Sequence, residues 1–130
     1  MSERLFDLRL LDILDATERI QQYIEGVAEA EFLENRLLID AVVYNLIQIG
    51  EAVANLPQDF KDAHDEIPWS KIKRMRDFAA HQYFRLSPSI VWETIGSALP
   101  ELVSLICETV ATRSQSDTDD SERSDSGSSA

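Results

Sequence analysis

In the stretch KIKRMRDFAAHQYFR, Arg76 and His81 stand five positions apart, and Tyr83 follows two residues later. Histidine is the side chain suited to proton exchange near neutral pH. Arginine offers a planar, permanently charged fork that matches phosphate oxygens. A tyrosine hydroxyl can orient a phosphate, and its ring can stack on a base. Cleaving RNA without a metal needs such a set. One group takes the 2′-hydroxyl proton, one protonates the leaving oxygen, and a fixed cation meets the charge on phosphorus. One chain offers a single well-placed histidine, so a two-fold dimer with both copies in one cleft would supply base and acid together. Helix geometry sets a condition. At about 100° per residue, Arg76 and His81 fall about 140° apart, whereas Arg76 and Tyr83 nearly eclipse. The three converge only if the helix ends or distorts around His81, or if a second subunit completes the site. The plain alternative is a packed helix with a surface arginine and a half-buried histidine.

Charge singles out the same stretch. The 130 residues carry 24 acids and 12 bases, for a net charge of −12. Residues 69–85 reverse that balance, with Lys71, Lys73, Arg74, Arg76 and Arg85 against Asp77 alone. Either these bases offset neighbouring acids on a solvated helix, or they form a local anion site on a surface that otherwise repels polyanions. A general nucleic-acid-coating role is a poor fit to so acidic a chain.

Helices must position these groups. Apolar spacing is helical throughout, and no segment sustains period-two alternation. A first helix is expected from Ser2 as cap to about Glu25, with Leu5, Leu8, Leu11, Ile20 and Ile24 as its buried stripe and Gly26 as its stop. A short turn would hold Phe32 and Leu33. A central helix spans about Asn35 to Asn55 on Leu38, Val42, Leu46, Ile49 and Val53, and Ile39, Val43 and Ile47 widen its apolar face. Pro57 ends it. After a connector over 57–68, Pro68 opens a third helix from Trp69 to about Gln82. Ser87 and Pro88 open a fourth, with Ile95, Leu99, Leu102 and Ile106 buried and a kink near Gly96 to Pro100. The pattern predicts an all-α, antiparallel four-helix bundle over residues 1–112. Residues 113–130, rich in Ser and Asp, read as a disordered acidic tail.

Other residues carry weaker signals. His64 lies among acids in a polar connector and reads as solvated, not as a metal ligand. Cys107, the one cysteine, reads as a small core residue and precludes an internal disulfide framework. Phe6, Phe32, Trp69, Phe84 and Trp92 read as packing or interface anchors. No glycine loop that cradles phosphate is present, so the chain is not itself expected to be a nucleotidyltransferase. No metal site and no cofactor is expected. The segment MSERLFDLRL is charged where a signal peptide needs an apolar core, and no apolar run approaches the roughly 20 residues of a bilayer span. The expected location is the cytoplasm, with no membrane partner.

Arg76-Asp-Phe-Ala-Ala-His81-Gln-Tyr83 resembles the R-x4-H-x-Y motif of HEPN-domain proteins, specifically HepT-like toxins. Leu46-Ile-Gln-Ile-Gly50-Glu51-Ala52 is similar to the family's IGEA segment. Ile67-Pro68-Trp69 is similar to the stretch that leads into its third helix. Ser87-Pro-Ser-Ile-Val-Trp92-Glu-Thr-Ile95, with Leu99-Pro100, resembles the start of its last helix. The match spans about residues 3–110.

The resemblance implies an all-helical homodimer whose motif residues line a cleft at the interface. It implies a metal-independent endoribonuclease acting as a toxin on RNA such as tRNA or mRNA. The implied partner is a minimal nucleotidyltransferase antitoxin that neutralises the toxin by adenylylating Tyr83. Attached AMP would put bulk and negative charge into a cleft built for phosphate. On this reading Arg76 and His81 are catalytic, and Tyr83 orients RNA and receives AMP. Lys71, Lys73, Arg74 and Arg85 bind RNA. Asp77 stands where the family often has asparagine, and it could orient Arg76 or compete with phosphate for it. Gly50 permits close helix approach, and Glu51 could pair with Arg76 or Lys71, or face solvent. Two competing readings are a non-catalytic substrate-binding subunit of a nucleotidyltransferase and an acidic helical scaffold whose basic turn only balances charge.

Overall fold

A computed structural model describes residues 2–80 and 87–128. Among them every regular element is a helix: α1 (Glu3–Ile24), α2 (Glu29–Glu34), α3 (Arg36–Ala54), α4 (Gln58–Asp62), α5 (Trp69–Ala80), α6 (Pro88–Gly96) and α7 (Ala98–Ser128).

Local chemistry sets the boundaries. The Ser2 hydroxyl accepts from the Leu5 N–H at 3.2 Å and caps α1. Gly26, just past α1, has φ +74°, a left-handed conformation that a side chain would strain. Asn35 serves two helices. Its N–H donates to the Phe32 carbonyl at the end of α2, and its side chain accepts from the Leu38 N–H at the start of α3. Pro88 occupies the first turn of α6, although the Ser87 side chain makes no capping bond there. The expected kink is a break at Ser97 (φ −123°, ψ −71°) between α6 and α7. Pro100 explains it. Its ring clashes with the carbonyl four residues back, at Gly96, and it has no N–H to bond there.

α3 is the central helix. It packs on α1, α5, α2 and α6, while α1 and α6 also pack on α7. Phe6 at the start of α1 meets Phe60 of α4, just beyond the end of α3, with rings 5.2 Å apart edge to face, while Arg19 near the end of α1 bonds Asn45 in the middle of α3, so α1 and α3 run antiparallel. Ile39, Val42, Val43, Leu46, Ile49 and Val53 are all buried, as the widened stripe predicts. By length and composition α3 and Pro88–Gln115 are apolar enough to cross a membrane, a feature that a search for unbroken apolar runs overlooks. In α3 that apolarity is directed into the core.

Three expectations change. The buried stripe of α1 is Leu10, Ile13, Ala16 and Ile20, whereas Leu5, Leu8 and Leu11 are about half exposed. Leu11 lies nine residues before Ile20, about half a turn around the helix, so the two cannot share a face. Cys107 is exposed, not in the core. The face of α7 that points inward runs through Leu102, Leu105 and Ile106, and Cys107 lies outside it. His64 is half-buried, with its ring 4.9 Å from Phe60 and Nδ1 3.5 Å from the Glu66 carboxylate.

Arg113, the first residue assigned to the tail by composition, is anchored. It donates to Asp7 and lies 4.8 Å over the Phe6 ring. The backbone of α7 continues as helix through Ser128, where composition predicts disorder. A helix satisfies its own backbone bonds without a core, and the last residue described as packing on the core is Val110.

Candidate active site

The site forms where α5 crosses α3. A Cβ placed on Gly50 would lie 2.8 Å from the Arg76 Cβ, inside any real contact distance. Glycine therefore lets the stem of Arg76 rest directly on the α3 backbone. The next residue of α3, Glu51, receives the guanidinium: Arg76 Nε lies 3.2 Å from Glu51 Oε1. Of the alternatives open to Glu51, this is the one the structure takes. Their side chains are 35% and 55% exposed, so the pair is aligned yet open to a ligand. An Arg Nε–carboxylate contact on one edge leaves the guanidinium's other N–H groups free to bond a phosphate.

The remaining bases spread around α5. Lys71, Lys73 and Arg74 are all exposed, as is Asp77. Helix register places Lys73 about 60° from Arg76, but Lys71 and Arg74 about 140° and 160° away. Lys73 thus shares the Arg76 face, whereas Lys71 and Arg74 form a separate basic flank. His81, Tyr83, Arg85 and the anchor Phe84 lie outside the described residues. So does the expected end of the third helix near Gln82. Among the described residues no three His, Cys, Asp or Glu side chains form a group that could hold a metal ion.

The segment before α5 is held by Trp69. Its indole N–H donates to the carbonyls of Lys61 and His64, at 3.0 and 2.9 Å. This ties the connector to the start of the helix that carries Arg76. Lys61 in turn donates to the Val53 carbonyl at 3.4 Å, which also accepts from the Leu56 N–H at 3.1 Å, so a cation sits at the negative C-terminal end of α3. Sequence reasoning treats Trp69 as a packing or interface anchor. Its place four residues before Lys73 and seven before Arg76 is the signal that it shares their face.

A second polar link fixes α1 to α3. Buried Asn45 accepts from Arg19 Nε at 2.7 Å and donates to the Ala41 carbonyl at 2.9 Å. Nothing in the apolar periodicity points to this pair.

Comparison with known proteins agrees with this architecture. The Ribonuclease HepT-like family model matches residues 13–109. The chain is 40% identical over 90 residues to a candidate RNase of Caldanaerobacter subterraneus subsp. tengcongensis, covering 69% of this chain and 80% of that protein. It is 39% identical over 93 residues to the probable ribonuclease HepT of Thermococcus cleftensis, covering 72% and 84%. A longer Methanocaldococcus jannaschii protein, a gamma-glutamylcyclotransferase and candidate RNase, is 34% identical over 90 residues, which is 40% of its length. No solved structure matches. The matched span contains the α3–α5 crossing with Gly50, Glu51 and Arg76, and on this evidence the chain belongs to the HepT-like ribonuclease family.

Proposed function

We propose that this chain is the toxin of a toxin–antitoxin pair and a metal-independent endoribonuclease. The observation that carries this reading is the Arg76 guanidinium, held 3.2 Å from Glu51 over Gly50, in a HepT-like chain. Glu51 fixes the fork from one edge. Its remaining N–H groups meet the phosphate oxygens and stabilise the charge that grows on them as the 2′-hydroxyl attacks. His81 moves the protons. Two copies pair as a homodimer and bring two histidines to one cleft, one as base and one as acid. Lys73 draws the adjoining phosphate toward the Arg76 face, and Lys71, Arg74 and Arg85 steer the chain electrostatically. Tyr83 orients RNA, tRNA or mRNA, and is the acceptor for AMP from a nucleotidyltransferase antitoxin in the cytoplasm. A nucleotide on Tyr83 fills and charges the cleft.

The test is cleavage of a defined RNA by purified protein with chelator present. The parent leaves 2′,3′-cyclic phosphate ends. His81→Ala slows cleavage by about 100-fold or more, the scale of a lost acid–base group, with an unchanged circular dichroism spectrum. Undiminished cleavage by that variant defeats the assignment. Stoichiometric RNA binding without cleavage by the parent would identify a binding subunit instead. Intact mass after co-expression with a candidate minimal nucleotidyltransferase reads the antitoxin: AMP increments mapped to Tyr83 support the pairing.

A further inference from the structure

Between the C-terminal end of α3, α4 and the start of α5 lies a groove of about 700 Å³. It falls in the size range of small-molecule sites. Buried Val53 and Ile67, with Trp69, give it an apolar side. Lys61, Lys73 and Asp65 give it a charged one. Most polar groups here are already engaged. The Trp69 indole N–H bonds two carbonyls, so the ring is fixed in orientation. Lys61 is spent on Val53, and the neighbouring Asp62 accepts from Gln58 at 2.8 Å. Lys73 and Asp65 are exposed and make no hydrogen bond or ion pair among the described residues.

This set does not suit a bare phosphate chain, because Asp65 and Asp62 repel it. An aromatic ring, one carboxylate with both oxygens unengaged and one unengaged cation suit a nucleotide: a base to stack, an N–H edge to read, a phosphate to neutralise. Guanine presents N1–H and N2–H2 side by side, a fork that one carboxylate accepts with both oxygens. Uracil offers a single N–H on that edge. Trp69, Lys73 and Arg76 follow one another on a single face of α5, with Trp69 about 10.5 Å along the axis from Arg76. A base in the groove would therefore belong to a nucleotide flanking the phosphate at Arg76.

We propose that the Trp69–Asp65–Lys73 groove is a nucleobase subsite selective for guanine beside the cleavage site. That it serves an RNA substrate rests on the ribonuclease reading above.

The test uses fluorescence of Trp69. The chain has two tryptophans, and Trp92 packs against Phe32 with ring centroids 5.0 Å apart. Trp92→Phe keeps a ring there and leaves Trp69 as the reporter. The probes are 2′-O-methyl hexauridine and the same oligonucleotide with one guanosine, neither of which can be cleaved by 2′-hydroxyl attack. The guanosine probe is expected to quench Trp69 and to bind about tenfold more tightly than the uridine probe, the scale of one bidentate base contact. Asp65→Asn removes that preference and keeps uridine binding. Lys73→Ala weakens both probes alike. Equal affinity for the two probes, absent quenching, or a preference that survives Asp65→Asn would overturn the proposal. Unmodified oligonucleotides separate the two readings. Guanine-selective binding with no cleavage leaves the subsite standing and removes the ribonuclease assignment. Cleavage with no guanine preference does the reverse.

Discussion

Two arginines reach across the bundle to a carboxylate on another helix, and they do different things. Arg113 of α7 pairs with Asp7 of α1, lies over the Phe6 ring, and has Nη2 3.5 Å from the Glu3 carbonyl. Arg76 of α5 pairs with Glu51 of α3 and rests on the bare backbone of Gly50. The two arginine side chains have nearly equal exposure, 31% and 35%. What separates them is their surroundings. Around Arg113 a ring and a carbonyl take up the remaining faces of the fork. Around Arg76 a missing side chain brings it in close, and among the described residues nothing besides Glu51 pairs with the fork. An ion pair alone therefore says little about function, whereas an ion pair with unclaimed donors on a basic helix says more.

Three substitutions probe this contrast. Arg76→Ala should reduce RNA cleavage by about 10²–10³-fold, as loss of a donor to transition-state charge does. Its thermal midpoint should barely move, because a half-exposed pair contributes at most about 1 kcal/mol. A large fall in stability with cleavage retained would reverse the roles of the two arginines. Gly50→Ala should destabilise the fold by up to about 2 kcal/mol in chemical denaturation. The clash with Arg76 costs about 1–3 kcal/mol, and about 1 kcal/mol of helix propensity offsets part of it. It should also lower cleavage by displacing Arg76, and a stabilising result with cleavage retained would show that the crossing is looser than the contact implies. Arg113→Ala is the mildest. It should leave cleavage rates unchanged and lower stability by about 1 kcal/mol, the combined scale of an exposed pair and a cation–π contact. Loss of cleavage in this variant would mean that the contact between α1 and α7 is coupled to the site.

Much of the scaffold was legible in the chain because its boundaries are set by local chemistry. Ser2, Gly26, Asn35, Pro68, Pro88 and Pro100 act on their immediate neighbours, and each marks an observed helix start, stop or break. The face of α1 was not legible. Its first half is apolar on two sides, and periodicity cannot choose between them without knowing where α3 lies. The site was half legible. Gly50 announced a close approach, and Glu51 had more than one possible partner. Only the crossing of α3 and α5 selects Arg76. The Arg19–Asn45 link and the anchoring of the connector by Trp69 left no trace, since polar bonds between distant segments impose no period on the sequence. The basic cluster was legible as charge but not as direction. Only register shows that, of Lys71, Lys73 and Arg74, Lys73 turns toward Arg76.

The contact at Gly50 constrains how this protein can evolve. The atom of Arg76 that a methyl at position 50 would strike is its Cβ, which every residue except glycine possesses. No shortening of the side chain at 76 short of glycine relieves the conflict, and glycine there deletes the guanidinium. A lineage that enlarges residue 50 therefore has no compensating partner mutation at 76 that keeps the charge. It must move a whole helix or abandon the chemistry.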